Sequence, residues 1–457
     1  MEIEVYTSFD ECESELGLLT AQTDNDNPFL RLDWLKSWWA HFNQGKSLYL
    51  ILCHSEGRVV GFIPFYRISR PALRLNEYFL LGDGLSSYLD MICIHGYEER
   101  MADFLFEHFD KMPSSTILHF RDINDRFSRL FLLLSKEAGK DKWLSSCFKL
   151  YPCPLATLGS NWDDFFKSQR DRKSRYNLQR SERLFVKVGN LKFREVTNPA
   201  ELDNLFPQLE RIHSERFSQT VNPLFKGQFR SFLSWALANM LASGLSLSVE
   251  ELDDTPVGFL MGFKMGEVFV DFAPAFDPAF SSLSLGNIHL MRLLAKKTSE
   301  GFRYFDFSKG EDRYKRQWSN GETANYLFRF GLNLSPIGRC YYNLLRFKLE
   351  CIIKLRSKGY NVKIKHLIAR LRKWKITSYQ EDNYQIEEIL IPFDMDRRNL
   401  PTWSYKIIRN LPIGVRKSTI NFMVKSKIGP FRIDNRPSER TVMMVPEAGD
   451  HMYRVRY

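Results

Sequence analysis

The stretch LSLSVEELDDTPVGFLMGFKMGEVFVDFA, residues 245–273, decides the fold. Two runs rich in apolar and β-branched residues flank Asp253-Asp254, and paired acidic residues of this kind are frequent in tight turns. The pattern predicts a β-hairpin whose second strand begins with Val-Gly-Phe at residues 257–259, followed by a further strand.

An earlier stretch repeats this order. In SLYLILCHSEGRVVGFIPFYR, residues 47–67, the turn is expected at Glu56-Gly57, and the second strand again begins with Val-Gly-Phe. Helical apolar spacing precedes each hairpin, at residues 34–42 and 227–243. A shared tripeptide arises easily by chance, but the shared order of helix, hairpin, strand and helix favours two copies of one α/β unit.

The chain has 457 residues, which is too long for one ordinary core and predicts two or three domains. The segment YPCPLATLGSNW, residues 151–162, has two prolines and a Gly-Ser, which is typical of a linker or a domain start. We therefore expect an N-terminal unit at residues 1–155, a C-terminal unit at residues 156–335 and an extension at residues 336–457.

The net charge of +11 is concentrated in this extension, which has 25 Lys and Arg against 11 Asp and Glu. Residues 1–335 have 40 Lys and Arg against 43 Asp and Glu. Such a surface suits a phosphate-rich or anionic-membrane partner. Residues 340–358 are predicted to form a basic amphipathic helix, residues 366–375 to continue the helical character, and YQIEEILIPF (384–393) and TVMMVPE (441–447) to form short strands.

The seven cysteines are scattered without a CxxC pair, which indicates reduced thiols in a cytosolic protein and neither a disulfide framework nor a zinc site. The first residues lack a basic segment followed by an apolar one, and no apolar run reaches about 18 residues, so neither a secretory signal nor a membrane span is expected. We expect a cytoplasmic protein without a metal, peripheral at the inner membrane face if the extension binds lipid.

The segment SLSLGN, residues 282–287, lies where a strand-loop-helix pattern places the start of a helix. The N–H groups of a first helical turn lack intrahelical acceptors and can bind a phosphate. Ser284 is a candidate N-cap, and Gly286 allows close approach to the backbone. An ordinary capped helix explains the same spacing and is the more frequent case, and the segment is neither a Walker loop nor a GxGxxG motif.

The next strand ends in FDFSKGEDRYKRQW, residues 305–318. Asp306 and Ser308 alternate with phenylalanines, so one face of the strand end is polar. A glycine then breaks the strand, and a short helix with acidic, basic and aromatic residues follows. The cluster can bind a polar acceptor and shield it from water, or it is a strand-to-helix turn with a solvated rim. Its members of interest are Asp306, Lys309, Gly310, Glu311, Tyr314, Lys315 and Trp318.

Two further candidates lie earlier in the C-terminal unit. A basic helix at residues 163–184 brings Arg172, Arg175 and Tyr176 to one side, which is either a solvated face or a surface for an anionic substrate. His213 has the titration range for proton transfer, although a lone helical histidine is more often structural. No nucleic-acid-binding module is recognisable.

Four passages resemble the BioF2-like/CelD-like branch of the GNAT acyltransferases, bacterial proteins often tied to cellulose or other exopolysaccharide synthesis. They are NPFLRLDWLKSWWAHF with FLLGDGLSSYLDMI, SRYNLQRSERL with IHSERF, AFDPAF with SLG, and FDFSKGEDRYKRQW, and together they cover about residues 25–335. The last is the most specific. The resemblance implies a pair of GNAT-like α/β units with mixed central sheets flanked by helices, as in the Fem-type aminoacyltransferases, the first unit being degenerate.

The resemblance also implies the chemistry, which is transfer of an acyl group, expected to be acetyl, from acyl-CoA to an amine or hydroxyl. The implied acceptor is a sugar, an amino sugar or an envelope or exopolysaccharide precursor. The implied cofactor-binding residues are Phe272, Ala273, Leu283, Ser284, Leu285, Gly286 and Asn287. Asp306, Glu311 and His213 are the candidate acid or base groups, and the candidates for substrate binding are Arg172, Arg175, Tyr176, Lys309, Gly310, Tyr314, Lys315 and Trp318.

The sequence departs from the family pattern at three places. Ser284-Leu285-Gly286 replaces Ser-Pro-Gly, Lys309 replaces the usual arginine, and Glu311-Asp312 reverses the usual order of the two acids. Two alternatives stay open, which the tandem architecture and the basic extension suggest. One is a Fem-like transferase that uses aminoacyl-tRNA, and the other is a non-catalytic GNAT-fold protein that binds a polysaccharide-synthesis complex or the membrane through its extension.

Overall fold

The computed structural model describes residues 1–140, 142–217 and 224–357, and four later strands at residues 386–390, 431–436, 441–446 and 451–456. The predicted helical continuation at residues 366–375 lies outside the described residues. The helix predicted at 340–358 is present as α11 (Pro336–Ser357), and the two strand-like pieces contain β14 (Ile386–Leu390) and β16 (Thr441–Pro446). Within the described residues, no helix has the length and apolar character needed to cross a membrane.

The first half of the chain alternates helices and strands. Its elements are β1 (Glu2–Tyr6), α1 (Glu13–Ala21), α2 (Leu32–Phe42), β2 (Ser47–Ser55), β3 (Arg58–Arg70), β4 (Leu75–Leu80), β5 (Ile92–Cys93), α3 (Glu98–Asp110), β6 (Ser115–Asn124), α4 (Leu130–Ala138) and β7 (Leu144–Thr157).

The second half repeats this order from β8 onward. Its elements are α5 (Trp162–Gln169), α6 (Arg172–Val188), β8 (Leu191–Val196), α7 (Leu202–Arg216), α8 (Gly227–Met240), β9 (Leu245–Leu252), β10 (Thr255–Met265), β11 (Val268–Phe276), α9 (Leu285–Ser299), β12 (Tyr304–Asp306), α10 (Arg313–Trp318) and β13 (Gly321–Leu332). After α11, the described strands β14 to β17 form a separate four-stranded sheet that includes β15 (Phe431–Arg436) and β17 (His451–Arg456).

One mixed sheet runs through both units in the order β1-β2-β3-β4-β6-β13-β7-β12-β11-β10-β9-β8. Equivalent strands occur in the same order from either end of the sheet. The strands β1, β2, β3, β4 and β6 of the first unit correspond to β8, β9, β10, β11 and β12 of the second, and β7 corresponds to β13. The last strands are exchanged between the units, since β13 pairs with β6 and β7 pairs with β12. The predicted duplication is therefore a pseudo-twofold arrangement, and the mixed α/β fold expected from the sequence is confirmed.

The two hairpins agree in backbone detail. Both turns use two residues with positive φ, Glu56-Gly57 in the first unit and Asp253-Asp254 in the second. Two-residue hairpin turns need this conformation to match the right-handed twist of the flanking strands. The strand pairing shifts at the valine of each Val-Gly-Phe, because β3 resumes its register with β2 at Gly61 and β10 resumes its register with β9 at Gly258. The repeat seen in the sequence is therefore a repeat of turn and bulge geometry.

The units share one apolar core. Trp34 of α2 meets Phe232 of α8 edge to face at 4.8 Å between ring centroids, and Phe42 meets the same ring at 5.6 Å. The helices that precede the two hairpins therefore pack against each other. Residues 151–162 were expected to be a linker or a domain start. The first half of this segment is not a linker, because residues 151–157 belong to β7 and pair with β13 and β12 in the centre of the sheet.

Candidate active site

The parallel strands β11 and β12 separate after a short paired segment. They are in register from Val268 with Tyr304 to Val270 with Asp306. Beyond that point β11 stays with β10, whereas the chain after β12 follows β7, to which Phe307 donates through its N–H at 3.0 Å. The separation opens a gap at the carboxyl end of two neighbouring parallel strands, which is a frequent place for a ligand in α/β proteins.

A cavity of about 200 Å³ lies in this gap. One side belongs to β11, a second side to the segment after β12 and to α10, and a third side to the loop that follows β4 in the first unit. The lining residues are Asp271, Phe272 and Pro274 from β11, Phe307, Ser308, Lys309 and Lys315 from the second side, and Leu85 and Ser87 from the first unit.

Asp271 is the most unusual group of the cavity. Its side chain is buried, and neither carboxylate oxygen has a hydrogen-bond partner within the described residues. Burial raises its pKa from 3.8 to about 7, and the positive charge of Lys315 opposes this rise. A buried carboxyl without partners is rare in a folded core, and its raised pKa places proton exchange near neutral pH.

Asp306 is equally buried but is held by hydrogen bonds. Tyr88 donates its hydroxyl to Oδ2 at 2.5 Å, and the backbone N–H of Ser308 donates to Oδ1 at 2.6 Å. Burial raises the pKa of Asp306 to about 6, and the Tyr88 hydrogen bond opposes this rise. Both oxygens therefore already have partners before any ligand binds.

The two cavity hydroxyls come from different units. Ser87 Oγ and Ser308 Oγ lie 2.9 Å apart, and Ser308 has a left-handed backbone with φ of 55°. The carbonyl of Ser87 accepts from Asn325 Nδ2 at 2.7 Å, which fixes the loop of the first unit on β13. The serines therefore form a hydroxyl pair at the junction of the units.

Two lysines add positive charge to the cavity. Lys309 Nζ bonds Asp122 Oδ2 at 2.9 Å and the carbonyl of Ser86 at 3.3 Å, so it joins the second unit to two elements of the first. Lys315 is buried, and its Nζ donates to the carbonyl of Lys309 at 2.7 Å. The sequence predicted both residues at the site, and both line the cavity.

The predicted phosphate-binding segment is the start of α9. Ser284 occupies the N-cap position, but its φ is 57° and its side chain accepts no capping hydrogen bond. The N–H of Asn287 donates to the carbonyl of Ser284 at 2.9 Å, so this group is already used. At the start of α9, the side chain of Leu285 is buried, and Gly286 faces a second groove.

The second groove continues from the gap toward α9. Its wall includes Pro274 and Phe276 of β11, Gly286 of α9 and Tyr314 of α10. A Cβ at Gly286 would lie 2.7 Å from the Phe276 ring, so any larger residue there must displace this ring. Burial raises the pKa of Tyr314 well above its usual value of 10, which keeps the phenol protonated. Of the other predicted cofactor-binding residues, Phe272 lines the first cavity, and Ala273 and Leu283 are buried.

Trp318 was predicted to contact substrate, but it is fully buried. Its indole Nε1 donates to Asn287 Oδ1 at 3.0 Å, and the guanidinium of Arg170 lies 4.3 Å from its ring centre. Trp318 therefore ties α10 to the first turn of α9. Gly310 has φ of 120° and donates its N–H to the carbonyl of Pro152 at 3.1 Å, so it lies along β7.

The structure does not bring the remaining candidates to the cavity. Glu311 is exposed and pairs with Arg316 at 2.9 Å. His213 packs between Phe217 and Phe225, and burial lowers its pKa to about 4, which keeps the ring neutral. On α6, Arg172 and Tyr176 are exposed. Arg175 donates to the carbonyl of Arg170, the residue that caps the C-terminal end of α5, at 2.6 Å.

The first unit differs from the second at the place that corresponds to this gap. In the second unit, β10 pairs with β11 from Gly258 opposite Phe276 to Gly262 opposite Asp271. The equivalent positions of β3 in the first unit are Gly61, which lies opposite Cys93, and Phe65, which lies opposite Leu80. Residues 272–275 therefore correspond to the much longer stretch 81–92. Most of that stretch is a loop, residues 81–91, called here the inserted loop, and its Leu85 and Ser87 line the cavity of the second unit.

The start of α3, which corresponds to the start of α9, has Glu98 and Glu99 in its first turn. Carboxylates at this place repel a phosphate. The first unit therefore supplies a wall of the cavity, and the start of its α3 is unsuited to a phosphate.

Asp271, Leu85, Ser87 and Tyr88 were not among the residues predicted from the sequence. A signal for Asp271 was present, since it is the one acid within the apolar run VFVDFAPAF of β11. The inserted loop lies within FLLGDGLSSYLDMI, a passage that carries the family resemblance, but the passage did not indicate that the loop lines this cavity. The exchange of strands between the units brings these distant residues together.

Comparison with known proteins agrees with this arrangement. Residues 172–316 match the family model described as an acetyltransferase (GNAT) domain, a segment that includes β11, α9, β12 and most of α10. This segment is therefore similar to GNAT-type acetyltransferase domains. No curated protein matches the sequence significantly.

Solved structures with a similar course of the chain include FemX (13% identity, 75% of this chain and 99% of that chain, TM-score 0.48). A tandem GNAT protein from the clavulanic acid biosynthesis pathway is similar at 10% identity, 72% of this chain and 98% of that chain, with a TM-score of 0.38. A conserved protein from Bacteroides thetaiotaomicron is similar at 13% identity, 72% and 100% coverage and a TM-score of 0.47.

Proposed function

We propose that the protein transfers an acyl group from acyl-CoA to the amine or hydroxyl of a small polar acceptor in the cavity between β11 and β12. The acyl group is expected to be acetyl, and the acceptor a sugar, an amino sugar or an envelope or exopolysaccharide precursor. The GNAT domain match supports acyl transfer, and the acceptor class extends the resemblance found in the sequence.

The observation that carries the proposal is the separation of β11 from β12 beside a buried carboxyl without partners. An acyl-CoA molecule needs a site for its diphosphate and a path from that site to the reacting carbon. In the described first turn of α9, the N–H of Asn287 donates to the carbonyl of Ser284, and the N–H groups of Leu285 and Gly286 are the ones without an intrahelical acceptor. The groove past Phe276 and Tyr314 leads from there toward Pro274, which lines both the groove and the cavity. The acceptor side is the cavity with Asp271.

Asp271 is the group best suited to accept the proton of the attacking amine or hydroxyl. Its pKa of about 7 leaves a large fraction ionised at neutral pH, and both oxygens are without partners. Asp306 is less suited, because its oxygens accept from Tyr88 and Ser308. His213 does not line the cavity, and Glu311 is exposed and paired with Arg316.

Tyr314 is placed to donate a proton to the departing thiolate. It lines the groove beside Pro274, and its raised pKa keeps the hydroxyl protonated throughout the neutral range. Lys315 lies on the same helix and balances the negative charge near Asp271. Asp271 as a proton acceptor in the cavity and Tyr314 as a proton donor in the groove would together supply the two proton transfers of direct attack on a thioester.

Calorimetric titration with acetyl-CoA and with longer acyl-CoAs tests the proposal. We expect binding by the parent protein and at least a tenfold weaker Kd for Gly286→Ala, because the new methyl group pushes the Phe276 ring into the groove. Gly17→Ala in α1 is the matched control, since a Cβ there meets nothing within 4 Å. Absence of binding for every acyl-CoA contradicts the proposal, and acyl transfer from aminoacyl-tRNA without release of CoA favours the Fem-like alternative.

A further inference from the structure

The helix α11 carries an unusual share of exposed apolar surface. Of the ten large hydrophobic side chains that are exposed within the described residues, five belong to this helix, with exposures from 40% to 64%. They are Ile337, Leu344, Phe347, Ile352 and Leu355. Four of them follow one another at helical spacings that place them on one face, called here the apolar stripe: Ile337, Leu344, Phe347 and Leu355.

Another face of α11 fixes the helix to the sheet. Tyr342 is fully buried beside Leu75 and Ile117, and its hydroxyl donates to the carbonyl of Arg329 at 3.1 Å. Tyr341 donates to Glu77 Oε1 at 3.3 Å. The apolar stripe therefore remains exposed although the helix is already packed on the body of the protein.

The charge of this segment is strongly positive. From residue 336 to residue 375 the sequence has twelve Lys and Arg against a single acid, Glu350. This acid pairs with Arg346 of its own helix at 3.0 Å. On α11 itself the other basic residues are Arg339, Lys348, Lys354 and Arg356.

We propose that α11 binds the surface of an anionic membrane, with the apolar stripe inserted at the level of the headgroups. A helix that combines exposed large apolar side chains with basic ones is attracted by anionic lipid and gains free energy by burying its apolar face. Nucleic acid would satisfy the charge, but it offers no apolar environment for Leu344 and Phe347. The proposal goes beyond acyl transfer, because it concerns a surface that shares no residue with the cavity.

Flotation of the full chain with vesicles tests this proposal. We expect binding to vesicles of equal parts phosphatidylglycerol and phosphatidylcholine, and at least tenfold weaker partitioning to pure phosphatidylcholine. The double variant Leu344→Ser/Phe347→Ser is expected to lose at least tenfold in partitioning to the anionic vesicles. The control is Leu18→Ser/Leu132→Ser, which removes two equally exposed side chains from α1 and α4 and leaves partitioning unchanged.

Three outcomes overturn the proposal. The first is the absence of binding to anionic vesicles, and the second is equal binding by Leu344→Ser/Phe347→Ser and the parent. The third is a parent that is dimeric and does not bind vesicles, together with a double variant that is monomeric. This result would assign the apolar stripe to contact with a second copy of the chain. Binding of bulk tRNA by a parent that ignores vesicles assigns the basic surface to nucleic acid. Acetyl-CoA titration of the same double variant is expected to match the parent, so the two proposals fail independently.

Discussion

The hydroxyl of Tyr88 in the first unit donates a 2.5 Å hydrogen bond to the carboxylate of Asp306 in the second. Both side chains are fully buried. Tyr88 belongs to the inserted loop, and Asp306 ends the strand at which the sheet opens. The bond therefore holds the loop that forms one wall of the cavity against the strand that forms another.

We expect Tyr88→Phe to lower the free energy of unfolding by about 1–3 kcal/mol, because it leaves a buried carboxylate oxygen without its donor. Urea denaturation followed by circular dichroism measures the change. Tyr78→Phe is the control, since the Tyr78 side chain is also buried, but its hydroxyl donates to Met112 Sδ at 3.7 Å and lies near Arg67 and not beside a buried carboxylate. A loss for Tyr88→Phe no greater than that for Tyr78→Phe would show that the hydrogen bond adds no net stability.

The pH dependence of acyl transfer identifies the proton acceptor. A base must be ionised to act, so kcat/KM is expected to rise with pH through an apparent pKa of about 7 and to level off above it. Asp271→Asn should lower kcat/KM at pH 8 by at least a hundredfold and remove this limb. If a limb near pH 6 persists in Asp271→Asn and disappears in Asp306→Asn, Asp306 is the base.

The sequence predicted the elements of the second unit closely. Strand, helix, strand and helix were expected between residues 267 and 318, and β11, α9, β12 and α10 lie there in that order. The alternation of apolar residues and the turn at Asp253-Asp254 are local signals, so a single sequence shows them. Lys309 and Lys315 were found in the same way, because they follow directly on a recognisable strand end.

The composition of the cavity could not be predicted to the same extent. Ser87 and Ser308 are far apart in the sequence, and they meet because β7 and β13 exchange places in the sheet. Pairing of that kind depends on the tertiary arrangement and leaves no periodic trace in the chain. Glu311 was one of the candidate bases, but it precedes α10, is exposed and pairs with Arg316.

Replacing Tyr314 by phenylalanine tests the proton donor. We expect kcat with acetyl-CoA to fall by about a hundredfold, because the departing thiolate loses its acid, whereas the Kd of acetyl-CoA stays within about twofold. A thioester of a more acidic thiol needs less help from an acid. The loss in Tyr314→Phe should therefore shrink with such a substrate, and an equal loss with both thioesters would indicate a structural role for the ring.

Asp271→Asn should stabilise the folded protein at pH 8, where the parent is expected to be most active. Burial raises the pKa of Asp271 from 3.8 to about 7, so the native state holds one proton more than the unfolded state between these values. The free energy of unfolding of the parent therefore falls as the pH rises from 4 to 7, and the loss persists above pH 7.

Asparagine does not ionise, so the variant avoids this loss. Thermal or urea unfolding at pH 4 should show little difference between Asp271→Asn and the parent, whereas at pH 8 the variant should be more stable by about 2–4 kcal/mol. Asp10→Asn is the control, because Asp10 is exposed and should change stability by less than about 0.5 kcal/mol at either pH. A variant that is less stable than the parent at pH 8 would show that the Asp271 carboxylate has a stabilising partner in solution, and it could then not serve as a free base.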